Sequence, residues 1–439
     1  MITTLAPPKQ RKWLRVVTNL LVATICGLSF GFTSQGFVIS MLSEKVLGAR
    51  DFVVYWATGQ QLAHHANPYD KVDLLRLERG AGLPTHFGAM FMRNPPSTLL
   101  LAYPLGFLSL RVASVVWSLF LLACLVASVY IVWLMQGKPK GVRHWLGYSF
   151  APALVCLLNG QTSVIALLGL VLFLRLHRTH QFLAGISLWL CLLKPHLFLP
   201  FGVVMLVWIV LTRSYKIIAG AALALALSCA IAYRIDPAAW SQYSEMVHTS
   251  GMQWEFIPCV SVLLRAWFSQ PSIWLQYVPA TLGCIWGVAY FWPRRANWSW
   301  LNEGSLLMLV SIVVAPYCWL FDQALAIPAL MRGAYVTKSR NLVIVLALLS
   351  AFVEVALFCN IFKPSAVYLW TLWTAPTWLA WYIAAIYWGK WSSDFASWRA
   401  KRKMLQAHSS ELPTSAQLEP EMLASAVAQE LSGTETHSA

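Results

Sequence analysis

The side chains in this sequence that can bind or move a polar group sit in a few places. Asp51 opens the run Asp51-Phe52-Val53-Val54-Tyr55-Trp56. Asn67-Pro68-Tyr69-Asp70 follows, and then Arg93-Asn94-Pro95-Pro96. Farther along, apolar stretches are interrupted three times: by Asn159-Gly160-Gln161-Thr162, by Lys194-Pro195-His196, and by Pro316-Tyr317-Cys318-Trp319-Leu320-Phe321-Asp322. Ionisable groups inside apolar segments are costly, and they are kept where they pair or meet a polar substrate. Helices stopping at such breaks expose unpaired backbone groups. Three breaks on one side would ring a polar recess with Gln161, Lys194, His196, Tyr317 and Asp322. Any one break, taken alone, reads equally as a tight turn between two helices.

The elements that must position these groups follow from composition. Only 11% of the 439 residues are charged and 58% are hydrophobic, and the mean hydropathy is +0.61. A soluble domain carries about 25% charged residues, so a soluble multidomain enzyme, a disordered chain and a disulfide-stapled secreted domain are excluded. The nine cysteines show no CxxC or CxxH spacing and lie mostly in apolar runs, as small buried residues do.

Apolar runs begin at about 16–39, with Lys9, Arg11, Lys12 and Arg15 before the first. Others fall at 112–135, 146–158, 162–176, 182–193, 197–212, 217–233, 273–292, 304–316, 319–331, 341–358 and 365–388. The expectation is an all-α polytopic membrane protein of about twelve spans with both termini cytoplasmic. The net charge of +15 then marks topology, not nucleic acid, because 21 of the 32 Lys and Arg fall in the segments assigned to the cytoplasmic side. Residues 1–15 form the basic N-terminus, 16–388 a single membrane domain, and 389–439 a largely disordered cytoplasmic tail. The run 95–110 holds Pro95, Pro96 and Pro104 and reads as a broken segment, tolerable only if protein buries it.

The acidic residues are unevenly spread. Six of the 17 lie in the tail, and five of the remaining 11 lie between Glu44 and Glu78, within an outer loop at 41–94. In that loop Phe52, Tyr55, Trp56, Gly59 and Leu62 share one helical face, which predicts a helix lying in the membrane interface with Asp51 at its start. Asp51 on these grounds is an N-cap. A second outer loop, 234–272, opens with Asp236-Pro237 and predicts another interfacial helix carrying Trp240, Tyr243 and Val247, stopping near Gly251. His248, Glu255 and Arg265 in this loop either face the recess or are solvated.

In order, Asp51-Phe52 with Tyr55, Asn67-Pro68-Tyr69-Asp70, Pro95-Pro96, Gly160-Gln161, Lys194-Pro195-His196, and Pro316-Tyr317 with Asp322 resemble glycosyltransferase family 87 over about residues 45–335. That family resembles GT-C-type membrane enzymes that take mannose or arabinofuranose from polyprenyl phosphate. Two positions depart from the pattern. Arg93-Asn94 precede the double proline where an aromatic is more usual, and Tyr317 and Asp322 stand where many members carry histidines.

The resemblance implies a hexosyl or pentosyl transfer from a polyprenyl-phosphate donor to a glycan or glycolipid acceptor, on the outer face of a bacterial plasma membrane. Asp51 matches the catalytic base, and Lys194 falls near the lipid phosphate with Arg93 or Arg265 assisting. His196 assists or packs. Tyr55, Tyr69 and Tyr317 stack on the sugar or anchor at the interface, and Asp322 accepts from sugar hydroxyls or supports a neighbour. Direct displacement inverts the anomeric centre and requires neither metal nor cofactor. The alternative is a transporter or flippase for a lipid-linked or polar substrate, with Glu354 as its intramembrane carboxylate.

Overall fold

The computed structural model describes residues 8–43, 47–48, 50–250, 257–268, 273–359, 370–388 and 398. Glu44, Gly251, Glu255 and, apart from Trp398, the segment 389–439 lie outside the described residues. The chain divides into two compact units, Met1–Ile386 and Tyr387–Ala439, and the site lies in the first.

All regular structure among the described residues is helical. The α-helices of eight or more residues are α1 (Pro8–Leu42), α2 (Phe52–Ala63), α3 (Lys71–Gly80), α4 (Leu110–Met135), α5 (Ala151–Asn159), α6 (Ser163–Leu176), α7 (Gln181–Leu188) and α8 (Leu199–Thr212). They continue as α9 (Tyr215–Ile235), α10 (Ala239–Thr249), α11 (Val260–Trp267), α12 (Val278–Phe291), α13 (Glu303–Val314), α14 (Ile327–Val336) and α15 (Arg340–Phe358). A final helical stretch occupies 374–388.

Among the described residues five helices are long and apolar enough to cross a membrane, judged by length and composition: Trp13–Leu42, Leu110–Met135, Pro195–Thr212, Tyr215–Ile235 and Arg340–Phe358. The chain is therefore an all-helical membrane protein. Hydropathy alone predicts about twelve spans, and the difference has a physical cause. Crossing the hydrocarbon core takes about 20 apolar residues, and several runs are cut before that length. Helix α6 has 14 residues, about 21 Å at 1.5 Å per residue. It is buried on nearly every side, from Ser163 to Leu174, as a helix that is apolar all round must be.

The run 95–110 is broken as its prolines predict. It forms two consecutive 3₁₀ helices, Pro96–Leu101 and Tyr103–Phe107, with Pro96, Ser97, Thr98, Leu99, Leu105 and Gly106 buried. Helix α2 lies directly against this segment. A Cβ on Gly106 would stand 2.0 Å from the Gly59 carbonyl oxygen, and one on Gly59 would stand 2.3 Å from the Ala102 carbonyl oxygen. Only glycine allows the two backbones so close. Trp56 Nε1 and Gln60 Nε2 then donate to the carbonyls of Leu108 (3.1 Å) and Gly106 (2.9 Å), closing backbone acceptors that the broken segment leaves open.

The loop after α2 is fixed locally. Asn67 Oδ1 accepts the Tyr69 amide at 2.8 Å. Asp70 caps α3, accepting from the amides of Val72 (2.9 Å) and Asp73 (2.8 Å), as an Asp at that position does. Asp236 accepts the Ala238 amide at 2.9 Å just before α10. Trp240 and Val247 on that helix are exposed, whereas Tyr243 turns inward to donate to the Arg93 carbonyl at 3.2 Å.

Candidate active site

The three polar breaks and the start of α2 meet at one cavity of about 830 Å³, within the range of small-molecule sites. The first break is made by Gly160. Helix α5 ends in a Schellman motif: the Gly160 amide donates to Leu157 O (3.2 Å) and the Gln161 amide to Cys156 O (2.9 Å). Gly160 has φ +75°, and a Cβ there would lie 2.6 Å from the Phe52 Cβ. Trp117 Nε1 holds the Gly160 carbonyl at 2.8 Å. This turn aims the Gln161 side chain into the cavity.

Arg50 also donates to carbonyls at the end of α5, sharing that of Leu157 with the Gly160 amide. Its guanidinium donates to Leu158 O (2.6 Å), Leu157 O (3.2 Å), Ser40 O (2.8 Å), Ser114 Oγ (3.0 Å) and Ser118 Oγ (3.2 Å). One buried cation thus ties α1, α4 and α5 together beside Asp51, and its charge complements the α5 C-terminus. Arg50 is not among the residues that the sequence motifs single out. The available signal was a basic residue directly before Asp51 in a charge-poor chain.

Asp51 stands at the N-cap position of α2 but makes no side-chain cap bond. Its carboxylate turns to the cavity, where Oδ2 accepts from Gln161 Nε2 at 2.8 Å. The capping role is therefore not the one it plays. Gln161 Oε1 in turn accepts from Lys194 Nζ (3.3 Å) and Tyr55 OH (3.4 Å). Burial pushes the Asp51 carboxyl above its ordinary range. The Gln161 hydrogen bond and then Lys194, Arg93 and Arg50 pull against that rise.

Lys194 lies between two short 3₁₀ turns, Trp189–Leu193 and Pro195–Phe198. Pro195 fits there because the first helical position needs no amide donor. Asn94 Nδ2 closes the Leu193 carbonyl at 2.6 Å. Lys194 Nζ pairs with Asp322 Oδ1 at 2.6 Å and sits 4.6 Å from the Phe321 ring centroid. Asp322 also accepts from Ser163 Oγ (2.7 Å) and the Trp319 amide (2.9 Å). Ser163 begins α6, so Asp322 joins the first and third breaks while Lys194 joins the second to both. The His196 and Tyr317 rings stack with centroids 3.6 Å apart.

The structure thus brings Asp51, Tyr55, Arg93, Asn94, Gln161, Lys194, His196, Tyr317 and Asp322 to one cavity. Arg93 is exposed there, whereas Lys194 and Asp322 are buried. Three residues named from the sequence do not line it. Tyr69 is buried against Tyr243, with ring centroids 5.5 Å apart. Arg265 is buried on α11 and donates to Gln276 at 2.7 Å. His248 is exposed and also off the cavity. Tyr243, Ser163, Trp117 and Phe321 belong to the site or its support, and the sequence analysis did not single them out for it. Glu354 lies in α15, accepts from Ser29 and Thr33 of α1, and does not face the cavity. Among the described residues no group of three or more His, Cys, Asp or Glu is placed to hold a metal ion.

An all-helical membrane protein whose helix breaks surround a cavity containing a carboxylate, an amide and an ammonium is built to act on a polar substrate at the membrane. The model of glycosyltransferase family 87 matches residues 91–316, and the chain belongs to that family. It is accordingly a glycosyltransferase. The matched stretch includes Arg93, Asn94, Gln161, Lys194 and His196, while Asp51, Tyr55, Tyr317 and Asp322 lie outside it. Comparison with curated proteins and with solved structures finds no match.

Proposed function

We propose that this glycosyltransferase is of GT-C type and moves a hexose or pentose from a polyprenyl-phosphate donor to a glycan or glycolipid acceptor. The cavity opens on the extracytoplasmic face of a bacterial plasma membrane, with both termini in the cytoplasm. This is the orientation the basic loops favour. The observation that carries the reading is Asp51, a carboxylate released from helix capping, turned into the cavity and joined through Gln161 to Lys194.

The acceptor hydroxyl attacks the anomeric carbon as the bond from that carbon to the phosphate oxygen breaks. Asp51 takes the hydroxyl proton, and burial strengthens it as a base. The electron pair leaves with the lipid phosphate, whose growing charge is met by Lys194 and by the exposed Arg93. Displacement from the opposite face inverts the anomeric configuration. Tyr55 and Tyr317 contact the sugar. The residues at the site supply this chemistry without a metal or cofactor. A transporter would need an ionisable group on a pathway, and Glu354, tied to Ser29 and Thr33, is turned away from the cavity.

Purified protein in lipid vesicles with radiolabelled polyprenyl-phosphate sugar and a membrane acceptor extract tests the reading. Asp51→Asn is expected to lower transfer at least ~100-fold, the scale of lost general-base catalysis, while the protein still accumulates and keeps its thermal transition. Transfer within a few-fold of wild type by this variant would refute Asp51 as the base.

A further inference from the structure

We propose that Gln161 is the positioning residue that orients Asp51 for catalysis, fixing which carboxylate oxygen takes the acceptor proton. The inference rests on the reading of Asp51 as base.

Gln161 cannot adopt its two amide orientations equally. Its oxygen faces two donors, the Lys194 ammonium at 3.3 Å and the Tyr55 hydroxyl at 3.4 Å. Its NH₂ faces an acceptor, Asp51 Oδ2, at 2.8 Å. Flipping the amide would set NH₂ against the ammonium and oxygen against the carboxylate, which is unfavourable at both ends. The backbone is held as firmly, since the Gln161 amide donates to Cys156 O and its carbonyl accepts from Cys156 Sγ at 3.0 Å. Lys194 therefore sets the amide, and the amide sets Asp51. One lone-pair site of Oδ2 is filled by the N–H, which makes Oδ1 the more accessible oxygen for the proton. Lys194, Arg93 and Arg50 also act on Asp51 through space. Asp322 acts on Lys194. Gln161 is the hydrogen-bonded link between Lys194 and Asp51.

The sign of the effect on acidity follows. Asp51 works as a base only when ionised, so transfer is gained as pH rises through its folded-state value. The Gln161 bond favours the ionised form. Removing it raises that value, and the acidic limb of the pH profile moves up by about one pH unit, as loss of one hydrogen bond to a charged group predicts.

The experiment measures transfer against pH in vesicles for wild type, Gln161→Leu and Gln161→Glu, with Asp51→Asn as control. The expected result for Gln161→Leu is ~10- to 100-fold lower kcat at neutral pH, donor KM within about threefold of wild type, and partial recovery at alkaline pH. Gln161→Glu keeps the size of the side chain and adds a carboxylate beside Asp51, so its acidic limb also moves up. A fold defect would lower activity at every pH and leave the limb where it was. An unmoved limb in both variants, or wild-type kcat in Gln161→Leu, overturns the proposal. If Asp51→Asn remains active, it is the base assignment that has failed instead.

Discussion

Removing the Asp322 charge should destabilise the protein, and removing Lys194 as well should return much of that stability without returning transfer. Asp322 is 1% exposed and accepts three hydrogen bonds, from Lys194 Nζ, Ser163 Oγ and the Trp319 amide. In Asp322→Asn the side-chain oxygen can still accept from Trp319, but the ammonium loses its counter-charge in a buried place. Breaking a buried pair from one side costs ~3–5 kcal/mol. In Asp322→Asn with Lys194→Met both charges are gone, and the new amide can hydrogen-bond Ser163 as well as Trp319. The double variant should then be more stable than Asp322→Asn by ~1–3 kcal/mol, because no uncompensated charge is left buried. The assay is thermal and denaturant unfolding in one detergent at pH 7, run beside transfer in vesicles. A single variant within about 1 kcal/mol of wild type, or a double variant no more stable than Asp322→Asn, would refute the ion pair as the clasp of the three breaks. Full transfer by the stable double variant would show that the donor phosphate does not need the Lys194 charge.

Substitutions at Arg50 and Gly106 probe what supports the site. Arg50→Lys should lose most of the stability that Arg50→Ala loses, ~3 kcal/mol or more by unfolding in detergent, because one ammonium cannot reach the carbonyls of Leu157, Leu158 and Ser40 and two serines together; equal stability of Arg50→Lys and wild type would contradict this. Gly106→Ala should impair accumulation in membranes, since its Cβ would meet Gly59 backbone at 2.0 Å, whereas Gly80→Ala, with open space around it, should change stability by less than about 1 kcal/mol.

The parts of the site that sequence made legible are those where polarity contradicts its surroundings. Lys194, Asp322 and Gln161 stand out because an apolar run has no reason to hold them unless they meet one another, and they do. The short helices are legible for the same reason, since Pro195 and Gly160 cannot continue a helix without cost. What stayed hidden depends on direction in space. The start of α2 offered Asp51 as an ordinary cap, and Asp70 at the start of α3 is such a cap. Nothing in the two local sequences separates them. The difference is made at a distance, by a glycine at φ +75° that swings Gln161 toward one carboxylate. Arg265 shows the reverse error, a plausible cation on the right loop that Gln276 claims first. Arg50 offers only its place beside Asp51 as a signal, because its partners are carbonyls and serines, groups that carry no charge to read. A charge-poor membrane chain reports which residues must be partnered, and the fold alone decides which of them the partnering leaves free to react. In the proposed reaction that residue is Asp51, with one oxygen bound by Gln161 and a cavity before it.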